Sequence, residues 1–109
     1  MTMRLRFLMS ALAVVAFADG AQAADIAHGE TLARALCSNC HIVGPGEAGG
    51  VVNADVPSFM AVAALPGESV DKIKAIILSP PHPAMPKVQL TKRELEAVAA
   101  YIMSLKPKN

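Results

Sequence analysis

The chain has 109 residues, enough for one small domain. Its formal charge is +1, which speaks against a nucleic-acid binder, since such proteins carry a strong basic excess. The longest apolar run, Phe7 to Ala18 with only Ser10 interrupting it, is too short for a comfortable transmembrane helix.

Arg4 and Arg6 stand before that run, and Ala21-Gln22-Ala23 follows it. A basic start, a short apolar stretch and a small-x-small site read together as a secretory signal peptide over residues 1–23. An uncleaved N-terminal anchor is the competing reading. Cleavage leaves one domain, residues 24–109, and places it in the periplasm. Those 86 residues bury only a limited core, so a staple is expected. They carry eight basic and eight acidic side chains, unevenly placed. Residues 24–69 hold a balance of −4 and residues 70–109 a balance of +4. Such a dipole can orient a protein on a partner; solvated helix faces account for it equally well.

Asp25 is placed to cap a first helix running towards Cys37. Leu32 and Leu36 share a face of it. Gly29 weakens that helix by about 1 kcal/mol relative to Ala, but permits close approach of another helix. Residues 42–56 read as loop, broken by Gly44-Pro45-Gly46 and Gly49-Gly50. Pro57 can open a short helix with Phe59, Val62 and Leu65 on one face, ended by Pro66-Gly67. Ser69 caps a third helix with Val70, Ile73, Ile76 and Ile77 at helical spacing, stopped by Pro80-Pro81. Residues 80–89 hold four prolines and read as extended loop. Thr91 and Glu94 form a capping box, with Leu90 and Leu95 as its hydrophobic staple. Leu95, Val98, Tyr101, Ile102 and Leu105 form the buried stripe of the last helix. No strand pattern or internal repeat is evident, so the class is all-α, with three to four helices.

The chemistry concentrates in Cys37-Ser38-Asn39-Cys40-His41. C-x-x-C-H reads as a covalent attachment site for a c-type haem. The two thiols bond the porphyrin's vinyl groups, and the imidazole ligates the iron. At a helix end these three residues fall at i, i+3 and i+4, on one side. The competing reading is an ordinary disulfide or a thiol redox pair, but no βαβ pattern surrounds the motif. One covalently attached haem c, with its iron, would also be the staple that a short chain needs.

A second axial ligand decides what the haem does, because a methionine sulfur raises the potential and favours electron transfer. Met85, in Pro83-Ala84-Met85-Pro86, is held by stiff flanks and is the candidate. Met60 and Met103 fall in expected helices, where core filling is the commoner role. His82 is the rival, and would give a bis-histidine haem at lower potential. His28 reads as a surface residue of the first helix.

From Asp25 to Leu105 the chain resembles the small class I cytochromes c, especially short bacterial periplasmic members. The carriers of the resemblance are Gly29, Cys37 to His41, Pro57-Ser58-Phe59, Met85-Pro86 and Tyr101. It implies a cytochrome c-like fold of helices packed around one haem. It implies that the Pro57 carbonyl accepts the proton of the His41 imidazole, that Met85 is the distal ligand, and that Tyr101 packs across the first helix at Gly29. Two departures stand out. Ala33 takes the place of an aromatic found in many members, and no tryptophan is present to bond a haem propionate.

The expectation is a soluble, periplasmic, mono-haem electron carrier without enzymatic activity. Cys37 and Cys40 would tether the haem, and His41 and Met85 would ligate its iron. Its partners would be redox proteins, with no nucleic acid involved, and the chain would be a monomer or a subunit of a dehydrogenase complex. Lys72, Lys74, Lys87 and Lys92 are candidates to ring a docking surface. The alternatives are a cytochrome subunit held on a periplasmic dehydrogenase, a ligand sensor with open iron, and a thiol protein without haem.

Overall fold

Helix α4, Lys92–Ser104, is the hub of the fold: α1, Ala16–Leu36, α2, Phe59–Ala63, and α3, Val70–Leu78, all pack on it. The computed structural model describes residues 16–47, 56–79 and 88–108, and among them there is no strand. The all-α expectation holds.

Local chemistry sets most helix starts. The Ser69 hydroxyl accepts the Lys72 N–H at 3.2 Å and opens α3. The Thr91 hydroxyl accepts the Glu94 N–H at 3.2 Å and opens α4. Each cap satisfies a donor that the first turn would otherwise leave without a partner.

Two expected starts are corrected. Asp25 caps nothing, because α1 runs unbroken from Ala16; the run Ala21-Gln22-Ala23-Ala24 has high helix propensity and carries the helix through. Pro57 does not open α2. Ser58 is its N-cap, accepting the Ala61 N–H at 3.1 Å, and Phe59 is the first helical residue. Pro57 therefore lies outside the helix, with its carbonyl available elsewhere.

The α1–α4 crossing is set by backbone. A Cβ on Gly29 would run into the Ala97 carbonyl and come within 2.9 Å of the Tyr101 Cβ. Ala33, one turn on, is fully buried. Position 33 is thus enclosed at the crossing by a small residue. Around this crossing lies the core, formed by Ala33, Val43, Phe59, Ala63, Ile73, Val98, Ala99, Tyr101 and Ile102. Leu90, partly buried, packs against it, and Leu95 is itself buried.

Other apolar positions are not buried. Leu36, Leu65 and Ile76 are 44%, 51% and 39% exposed, although periodicity places them on inner faces. All three line one concavity. Among the described residues no helix is long and apolar enough to cross a membrane.

Candidate functional site

Helix α1 ends at Leu36, but its hydrogen bonding continues for one turn. The Cys37 carbonyl accepts the Cys40 N–H at 3.2 Å and the His41 N–H at 2.9 Å. Cys37, Cys40 and His41 are therefore presented from a single turn, as the i, i+3, i+4 spacing requires.

The segment after this turn is tied down from three sides. The Ile42 carbonyl accepts the Phe59 N–H at 2.9 Å. The buried Tyr101 hydroxyl donates to the Val43 carbonyl at 2.6 Å. Arg34 bonds Glu30 on its own helix at 2.8 Å and also pairs with Glu47 in the loop.

Within this frame His41 Nδ1 lies 2.7 Å from the Pro57 carbonyl oxygen. A carbonyl only accepts, so Nδ1 is the donor and Nε2 is the nitrogen left to ligate a metal. The Phe59 ring lies 5.3 Å from the imidazole, tilted by 41°, and limits the ring's movement. This is the arrangement that orients a metal-ligating histidine and strengthens it as a donor. Because Ser58 rather than Pro57 takes the capping role, the Pro57 carbonyl is left for the imidazole.

Both cysteines are free thiols, Cys37 half-buried and Cys40 exposed. Burial, and then the neighbouring Cys40, push the Cys37 thiol above its ordinary range.

Cys37, His41 and Pro57 share a wall of a cavity of about 240 Å³. The remaining walls come from the end of α1, from α2, α3 and the segment between them, from Val88 and Leu90 ahead of α4, and from Val98 and Ile102 within it. Nearly every lining residue is apolar. Two thiols, an oriented imidazole and a greasy cleft together suit a large, flat, apolar group held covalently and by one nitrogen. The residues present fit a c-type haem.

Comparison with known proteins agrees with this geometry. Residues 24–102 match the family described as cytochrome c oxidase, cbb3-type, subunit III. The chain is also 45% identical over 107 residues to cytochrome c-552 of Bradyrhizobium diazoefficiens (strain USDA 110), covering 98% of this chain and 100% of that protein. The chain belongs to the small mono-haem class I cytochrome c family. No solved structure matches it.

Membership supplies the cofactor, a covalently attached haem c with its iron, and makes this c-type cytochrome an electron carrier. Several residues singled out in the sequence then find their places. Met60, in α2, and Met103, in α4, do not line the cavity. Met85, His82 and Lys87 lie outside the described residues. Lys74 is not a free surface cation, since it pairs with Glu96 at 2.5 Å and with Asp71 at 3.8 Å. Lys72 donates to the Gly67 carbonyl at 2.8 Å.

Four residues contribute to this cytochrome's site beyond what the sequence alone indicates. Tyr101 was marked as packing, yet its hydroxyl also holds the loop beyond His41. Arg34 and Glu47, thirteen residues apart, gave no local signal. Glu68 lines the cavity beside apolar neighbours, and only its position just before the Ser69 cap hinted at a fixed location.

Proposed function

We propose that this cytochrome is a periplasmic shuttle carrying one electron at a time between redox proteins. In this reading Cys37 and Cys40 form the two thioethers, His41 Nε2 and the Met85 sulfur ligate the iron, and Pro57 fixes the imidazole. The observation that carries it is the 2.7 Å bond from His41 Nδ1 to the Pro57 carbonyl on the wall of an apolar cavity that Cys37 also lines, with the exposed Cys40 on the same turn. When bound, the haem supplies the one-electron couple; the chain's residues attach it, orient its ligand and exclude water from its faces.

Met85 would be the second residue to hold the iron, and a methionine sulfur there would favour electron transfer. Supporting Met85 are its stiff proline flanks and the absence of Met60 and Met103 from the cavity wall. Supporting export are the signal-like residues 1–23 and the family match, which begins at residue 24. Residues 24–109 are then the mature domain.

A second reading, a subunit held in a larger respiratory or dehydrogenase assembly, draws on the matched family's description as an oxidase subunit. The shuttle is favoured by the 45% identity to a protein named simply as a cytochrome c-552. Absorption spectra of the purified protein, oxidised and reduced, test the reading. A haem c spectrum with the near-infrared band of methionine-ligated ferric haem is expected. Absence of that band, with rapid carbon monoxide binding, would overturn Met85 ligation and the carrier role together. Stable copurification with a dehydrogenase or an oxidase would favour the subunit.

A further inference from the structure

The cavity wall carries one charged side chain among the described residues, Glu68. Its neighbours there include Leu65, Ile73 and Ile76, which offer no counter-charge. The carboxylate does not swing freely: its Oε1 accepts the backbone N–H of Ser69 at 3.0 Å. The Glu68 N–H in turn donates to the Leu65 carbonyl at 3.2 Å. Both bonds are local, so the carboxylate is fixed at the mouth of α3 without an ion-pair partner among the described residues. The nearby cation, Lys72, is turned to the Gly67 carbonyl at 2.8 Å.

We propose that Glu68 lowers the reduction potential of this cytochrome below the value the same haem would have without that charge. The proposal rests on the electron-carrier reading and names one determinant of how it works. The oxidised haem carries one more positive charge than the reduced haem. A negative charge held beside an apolar cleft stabilises the oxidised state more, and because the Glu68 side chain is only partly buried, water screens part of that effect. A second role for this carboxylate, complementing the N-terminus of α3, concerns stability and not potential.

The two roles separate in a redox titration of the haem-loaded protein, with the visible spectrum as readout. Glu68→Gln should raise the midpoint potential, changing the oxidised-to-reduced ratio at fixed poise by about threefold, which is ~30 mV at 59 mV per tenfold for one electron. Glu68→Lys should move it about twice as far in the same direction, and Glu68→Asp should return it towards the native value. Asp71→Asn removes a carboxylate from the same helix start but off the cavity wall, and should shift the potential much less. An unchanged potential in Glu68→Gln and Glu68→Lys, or an equal shift in Asp71→Asn, would overturn the proposal. A protein without a haem c spectrum would instead overturn the electron-carrier reading, so the two failures are distinguishable.

Discussion

The hydroxyl of Tyr101, on the last helix, donates to the backbone carbonyl of Val43 across 58 residues of chain, at 2.6 Å and out of contact with solvent. Val43 stands two residues beyond His41, so the last helix bears on the proximal side of the site through a polar contact as well as through packing.

Tyr101→Phe removes the donor and leaves the ring. It should destabilise the protein by about 1–3 kcal/mol, because a buried carbonyl loses its partner. Denaturant unfolding of the haem-loaded protein measures this. A loss below about 0.5 kcal/mol would mean that water takes the hydroxyl's place.

The same phenol predicts an alkaline limit. Burial, and then the Glu30 carboxylate, raise its folded-state pKa, although Arg34 opposes this. A phenol in the unfolded chain ionises near about 10. Below that pH it is neutral in both states and stability is unaffected. As pH rises above it, the unfolded chain releases the proton first, and stability falls until the folded-state value is passed. Unfolding free energy followed from pH 8 to 12 should show this decline. The decline should be shallower in Tyr101→Phe.

Gly29→Ala should be among the most damaging small substitutions in the chain. The added methyl meets the Ala97 backbone carbonyl, which cannot rotate away as a side chain could. Overpacking of this kind costs about 1–3 kcal/mol. Thermal unfolding is the measurement, and Gly46→Ala is the control. Gly46 has space around it, but its φ of 72° adds backbone strain and no clash. Equal losses in the two variants would mean that the helix crossing tolerates a methyl.

Met85→Ala should lower the reduction potential and admit exogenous ligands to the iron, while leaving the haem attached. His41→Ala should instead abolish stable haem-loaded protein. A Met85→Ala spectrum identical to the native one would transfer the distal role to another residue, His82 first.

What could be read from the sequence follows the range of the interactions. Ser69 and Thr91 were legible as caps because a cap is completed within three residues. Gly29 and Tyr101 were legible through resemblance, and C-x-x-C-H because covalent chemistry fixes its spacing. The start of α1 was misread: a possible cap at Asp25 says nothing of the helix-forming residues before it. Pro57 was assigned both a helix start and a bond to His41, and only the bond is present, because Ser58 takes the cap. Leu65 and Ile76 fit a buried stripe by spacing, yet they form the cavity wall, since periodicity marks an apolar face without saying what covers it. Arg34 with Glu47, and Tyr101 with Val43, depend on chain reversals that no local pattern encodes.

The meeting of Gly29 with Ala97 works as a ruler. Helix α1 leads directly to Cys37, and α4 contributes Val98 and Ile102 to the facing wall. The approach of these two helices beside the cleft is therefore a contact of two main chains, kept short because position 29 carries no side chain.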